Sequence, residues 1–177
     1  MRNRSRSGVR RRSGFILVEL ILVMIVIFTL AMVVAPRFSD FFPSLQVRTS
    51  TEHLFAWARK ARADAAVTGV RQRLVLDSSK RAYWIEYEAR PIKDPGKFTM
   101  LSGAWGEETL PEEIAFETID GAATDPNNGA KRFIEFWPDG TSSDATLILS
   151  NENGDRATLR IEGATSKIYI QPQEQSK

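Results

Sequence analysis

Few residues in this chain have the types or spacing for bond chemistry. His53 is the only histidine and there is no cysteine. A catalytic dyad or a zinc site therefore lacks its second member, and no enzyme activity, cofactor or small-molecule substrate is expected. Glu107, Glu108, Glu112, Glu113, Glu117 and Asp120 form an acidic run with no base among them. That run reads as a solvated loop, with docking of a basic partner as its functional alternative. Asp125, Asn127 and Asn128 offer oxygens of the kind calcium takes, but their spacing matches no calcium loop and fits a turn cluster. Trp57, Trp84, Trp105 and Trp137 read as packing residues. No glycine loop suited to cradling phosphate appears, so energy for any work must come from another protein.

The residue whose position asks for chemistry is Glu19. It is the single charge in FILVELILVMIVIFTLAMVVA, residues 15–35. As a helix these 21 residues span about 32 Å, matching a hydrocarbon core of about 30 Å. A carboxylate facing lipid costs roughly 2.5–3.5 kcal/mol near the bilayer centre and less near an interface. Protonation or snorkelling would reduce that cost. A cation supplied by a neighbouring chain would remove it. Phe15 lies one helical turn, about 6 Å, from Glu19. If Phe15 began the chain, its α-ammonium on an axially shifted neighbour would pair with Glu19 and select subunit register.

Six arginines precede the apolar segment: Arg2, Arg4, Arg6, Arg10, Arg11 and Arg12. They predict a cytoplasmic N-terminus. The net charge of +2 comes from them. Setting them aside leaves 18 of the 24 basic residues against 22 acidic ones, a formal −4. No small-residue cleavage pattern follows the apolar core, as an ordinary secretory signal requires, and the small residue Gly14 sits in front of it.

Ser13-Gly14-Phe15-Ile16-Leu17-Val18-Glu19-Leu20 resembles the processing site of type IV prepilins and type II secretion pseudopilins. The resemblance covers roughly residues 8–38. It implies cleavage by a prepilin peptidase between Gly14 and Phe15, N-methylation of Phe15, and an assembly role for Glu19. Pro36 stands where the family often has a helix-kinking proline. The usual threonine or serine two residues past the phenylalanine is Leu17 here, a departure from the pattern.

Beyond the segment, Pro36 lacks a backbone donor and should kink or interrupt the helix. Arg37, Asp40 and Pro43 mark the exit from the membrane. A helical pattern resumes over 45–67, with Leu54, Ala58, Ala61 and Ala65 as an apolar stripe suited to a sheet. Arg59, Lys60 and Arg62 fall on the other side. Arg59 lies about 35 Å past Pro36 along a continuous helix, far beyond a Debye length of about 8 Å, which excludes a lipid-headgroup role. A solvated face or a neighbouring subunit remains. After Gly69, strands are predicted over 70–77 and 81–89 around Ser78-Ser79, then 114–119, 133–137, 146–150, 156–162 and 167–171. Turns are expected at Pro138-Asp139-Gly140 and Asn153-Gly154. Residues 91–108 read mostly as loop, 122–131 wholly so, and 171–177 as a frayed tail.

FIEFWPDGTSSDATLILSNENGDRATLRIEGATSKIYI resembles the domain of H-type minor pseudopilins and the related FimT minor pilins. The expected fold is α+β: a long N-terminal helix, membrane-spanning in its first half, packed on a C-terminal antiparallel sheet or sandwich. Residues 1–14 form a basic leader removed on maturation, 15–36 a transmembrane segment, 37–68 its periplasmic continuation, and 69–177 a β-rich domain. The resemblance implies a minor pseudopilin of type II secretion in the inner membrane, single-pass, with its C-terminal domain periplasmic. Other pseudopilins or pilins, the prepilin peptidase and the inner-membrane assembly platform are the implied partners. The alternative is a FimT-like minor pilin in DNA uptake, though the acidic balance argues against nucleic acid as a partner. A third reading, an anchored periplasmic module that never polymerises, leaves Glu19 without a use.

Overall fold

The computed structural model describes residues 13–39 and 41–171, with the side chains of 17–32 and 44–171. The chain divides into two compact units, Met1–Phe41 and Phe42–Lys177.

The first unit contains helix α1, Ser13–Ser39. Its apolar sequence gives it no hydrophilic face, so it lacks the one-sided stripe of a surface helix. Among the described residues no helix is long and apolar enough to cross a membrane. The part of α1 with described side chains, 17–32, is about 24 Å long. Phe15, Ile16 and residues 33–35, which complete the apolar segment, lie outside it.

The second unit is built on helix α2, Phe41–Thr68. Pro43 falls in its first turn, where backbone donors have no intrahelical acceptor, so the helix starts earlier than the predicted residue 45. It stops at Gly69, which has φ of 69° and donates its N–H to Ala65 O at 3.0 Å, the left-handed cap that glycine adopts most easily. The predicted stripe is the buried one: Leu54, Ala58, Ala61 and Ala65 are wholly inaccessible, with Val47 and Trp57 beside them. Three alanines in that stripe let the helix axis lie close to the strands.

Among the described residues ten strands follow: β1 Gln72–Asp77, β2 Ala82–Glu88, β3 Phe98–Met100, β4 Glu108–Thr109, β5 Ile114–Asp120, β6 Ala123–Asp125, β7 Asn128–Phe136, β8 Ala145–Asn151, β9 Arg156–Glu162 and β10 Lys167–Gln171. They form two antiparallel sheets. The first has the order β3-β2-β1-β7-β6, with β4 also on β2; the second is β10-β9-β8-β5. In the first sheet Leu74 stands opposite Ile85 and Ile134, and Leu76 opposite Tyr83. Ala145, Leu147 and Leu149 alternate inward along β8, opposite Ile161, Leu159 and Ala157. These residues and the α2 stripe share one hydrophobic core. The fold is thus α+β, a helix packed on antiparallel sheets.

Two sequence expectations change. Residues 122–131 are not a loop but the β6–β7 hairpin, with Ala123 opposite Phe133 and Asp125 opposite Asn128. Asp125 Oδ1 accepts from Asn127 N at 2.8 Å, and Asn128 Oδ1 from Ala130 N at 3.0 Å. Turn-forming residues here close a hairpin whose strands also carry polar side chains, which hides the alternation. Within 91–108 the chain is mostly irregular but contributes β3, a 3₁₀ turn Gly103–Trp105, and β4.

Candidate assembly site

Glu19 sits on α1 in a field of exposed apolar side chains. The thirteen large apolar residues between Leu17 and Met32 are all exposed, by 46–77%. The polar Thr29 satisfies its hydroxyl within the helix, donating to Ile25 O and Val26 O, both at 2.9 Å. Glu19 is also exposed, and residues 15–35 contain no base that could answer its carboxylate within the segment. Gly14 and Phe15 fall within α1, but their side chains lie outside those described. Pro36 also lies within α1, which continues to Ser39, so the helix runs on past the proline.

In the second unit the other candidates resolve into structure. His53 Nδ1 lies 3.3 Å from Glu108 Oε1, both partly exposed, a link from α2 to β4. Glu108 also bonds the Tyr83 hydroxyl, whose pKa is pushed up by burial first and by that carboxylate second. Trp57 packs edge-on against both Tyr83 and Trp105, with ring centroids 5.2 Å apart in each case. The acidic run is not wholly uncompensated: Arg156 Nε donates to Glu117 Oε2 at 2.7 Å across the second sheet. That bond is the main reason Glu117 is held below the usual carboxylate range. Asp125 and Asn128 turn oxygens to their own backbone, and among the described residues no cluster of three His, Asp or Glu could hold a metal.

The strongest polar cluster was not singled out in the sequence. Arg71 grips Glu88 with Nε at 3.0 Å from Oε2 and Nη2 at 2.9 Å from Oε1. Glu88 Oε1 also accepts from Gly96 N at 2.6 Å, fastening the loop that leads to β3. Hydrogen bonding by Arg71, then by Gly96, depresses the Glu88 pKa to about 2. Beside it the Arg73 guanidinium lies 4.1 Å from the Phe98 ring centre and 4.8 Å from that of Phe133, while bonding Glu86. The usable signal was strand alternation: Arg73 and Glu86 are register partners on the face away from the core.

This arrangement is a type IV pilin-like fold of the H-type minor pseudopilin kind. The minor pseudopilin EpsH of the Vibrio cholerae type II secretion system aligns with a TM-score of 0.57 at 9% identity, over 71% of this chain and 96% of that one. The solution structure of Escherichia coli GspH aligns with a TM-score of 0.55 at 15% identity, over 76% of this chain and 93% of that one. No protein-family model and no curated protein matches the sequence itself.

Proposed function

We propose that this protein is a minor pseudopilin-like subunit that assembles through α1 into a short filament of the inner membrane, serving protein export by type II secretion. The observation that carries the reading is α1 itself. Thirteen large apolar side chains stand exposed on it, in a chain whose second unit has the pseudopilin fold. Keeping them in water would cost on the order of 10–20 kcal/mol after allowing for their partial exposure. Lipid before assembly and a bundle of equivalent helices afterwards would each cover them. In such a bundle the freed ammonium of a processed Phe15 answers the Glu19 carboxylate, and the arginine-rich leader keeps the N-terminus cytoplasmic until the peptidase acts. EpsH belongs to a type II secretion system, and that likeness is what favours export in this reading. The pairing of Arg156 with Glu117 weighs against a DNA-uptake role.

Intact mass of membrane-extracted protein tests the processing: loss of residues 1–14 and gain of one methyl is expected, and a full-length mass or a cut after Ala35 sinks the reading. Deletion of the gene followed by separate secretion, piliation and transformation assays then distinguishes the systems; loss of secretion alone is expected.

A further inference from the structure

We infer that Asn128 is a site of spontaneous covalent modification, losing its side-chain amide through attack by the backbone nitrogen of Gly129. The reaction needs only water and is independent of the export reading. The chain has two Asn-Gly steps, Asn128-Gly129 in the β6–β7 hairpin and Asn153-Gly154 in the turn between β8 and β9, and all four residues are exposed. Glycine in second place leaves the attacking nitrogen unshielded by a side chain. Residue types alone make the two steps equivalent. The fold does not.

At Asn153 the nitrogen is occupied. Gly154 N donates to Asn151 O at 3.1 Å, with Gly154 held at φ of 85°. Around it Asn151 Nδ2 donates to Asp155 Oδ2 and Asp155 N to Asn151 Oδ1, both at 2.9 Å, closing the turn. To reach Cγ of Asn153 the Gly154 nitrogen must give up its bond and the turn must open. At Asn128 the arrangement is reversed. Asp125 stands opposite Asn128 and Thr124 opposite Arg132, so residues 129–131 fall in a break of the β6–β7 register. On the other side β1 pairs with β7 only from Lys131 onward. Among the described strands, then, Gly129 has no residue paired with it. Asn128 Oδ1 meanwhile accepts from Ala130 N at 3.0 Å. Negative charge builds on that oxygen as a nitrogen adds to Cγ, and an N–H already aimed at it stabilises the charge. The same bond folds the side chain forward along its own backbone, toward the nitrogen that attacks.

As the Gly129 nitrogen bonds to Asn128 Cγ, its proton passes to the departing amide, which leaves as ammonia, and a cyclic succinimide remains. Water then adds to one of the two ring carbonyls. Cleavage of the new bond gives aspartate at 128. Cleavage of the original peptide bond gives isoaspartate, with the main chain routed through the side chain. Nothing is oxidised or reduced. Either product adds a carboxylate at the position paired with Asp125, and like charges placed opposite each other destabilise a strand pair. Isoaspartate also lengthens the backbone beside Ala130, whose carbonyl accepts from Ser78 N and Ser78 Oγ, both at 3.1 Å. The modification thus loosens the edge strand β6 and the tie between β7 and the β1–β2 turn.

Full-length protein in detergent is held at neutral pH and sampled over days. Tryptic peptides 98–131 and 133–156 separate the two steps, and mass spectrometry with fragmentation locates the product in each. Aspartate and isoaspartate should accumulate at 128 at least about tenfold faster than at 153, the difference expected from one bonded nitrogen and one aimed donor. In urea, where neither arrangement survives, the two rates should converge. The carbon added by Gly129→Ala meets nothing within 4 Å, so that variant should fold normally. It should slow the reaction at 128 by about tenfold or more, because the added carbon crowds the nitrogen. A rate at 153 equal to or above that at 128 in the folded protein overturns the inference. So does a ratio unchanged by urea, or a rate at 128 indifferent to Gly129→Ala.

Discussion

Arg71 and Glu88 form a two-pronged ion pair on the outer side of the first sheet, with both N–H···O contacts at 2.9–3.0 Å and the Glu88 side chain only 5% exposed. The same carboxylate holds the backbone of Gly96, so one residue joins the start of β1, the end of β2 and the loop before β3. A depressed carboxylate pKa means that this stabilisation is complete above about 4.5, the ordinary value, and is lost as pH falls toward about 2. The shift corresponds to roughly 3 kcal/mol at neutral pH. Glu88→Gln should therefore lower stability at pH 7 by about 1–3 kcal/mol and flatten the acid limb of stability between pH 4.5 and 2. Urea denaturation followed at several pH values checks this; an unchanged acid limb would show that the pair is not the source.

Gly163 supports the second sheet by its lack of a side chain. A Cβ there would lie 2.6 Å from Ser142 O and 2.9 Å from Asp144 Oδ2, at the point where Gly163 O accepts from Ser142 N and Asp144 Oδ1 accepts from Gly163 N. Gly163→Ala should cost about 1–3 kcal/mol because backbone on β8's approach must shift. Gly129→Ala meets nothing within 4 Å and serves as the comparison, with a change of about 0.5 kcal/mol or less. Equal melting temperatures for the two variants would contradict the close approach.

Much of this was legible from residue patterns, for physical reasons that also explain the misses. The stripe Leu54, Ala58, Ala61, Ala65 has helical spacing and only one place to bury, so its pattern alone identifies the buried face. Strand β8 alternates cleanly, and β9 and β10 have the predicted bounds. The β6–β7 hairpin was read as loop because Asp125, Pro126, Asn127 and Asn128 signal a turn while its flanking strand residues carry no apolar alternation. The Arg71–Glu88 pair, 17 residues apart, needed strand register before it was visible. Glu19 announced itself because a charge in an apolar run costs enough to need a reason. The processing residues Gly14 and Phe15 rest on the sequence.

Glu19 is the test of how copies recognise one another. Glu19→Ala or Glu19→Leu raises the hydrophobicity of α1, so insertion and cleavage should be retained. Incorporation should fall, because the ammonium of a processed Phe15 would meet no carboxylate in the bundle. Membrane fractionation, intact mass and cross-linking to other filament subunits read the three steps separately. Wild-type cross-linking by either variant would remove Glu19 from the register mechanism.

Nucleic-acid binding gives the sharpest contrast between secretion and DNA uptake. Non-specific affinity for duplex DNA grows with the number of phosphates that free cations neutralise, and it falls steeply with salt. Residues 133–177 contain Arg156, Arg160, Lys167 and Lys177 against Glu135, Asp139, Asp144, Glu152, Asp155, Glu162 and Glu174, a formal −3. Of those bases Arg156 is engaged by Glu117, and Lys167 lies over the Tyr169 ring. The more basic stretch, 37–73, holds seven bases and three acids. Folding consumes most of these: Arg48 pairs with Glu52, Lys60 with Asp64, Arg71 with Glu88, and Arg73 with Glu86. Arg37 lies in the first unit, outside the described side chains, so Arg59 and Arg62 remain of this stretch in the domain, too few to compete with counterions near physiological salt. The domain of residues 42–177 should therefore bind duplex DNA no tighter than about 10⁻⁴ M, the weak end of non-specific affinity. Fluorescence anisotropy across a salt series measures this directly. Micromolar binding that weakens with salt and disappears on Arg156→Ala with Arg160→Ala would replace the secretion reading with one of DNA uptake.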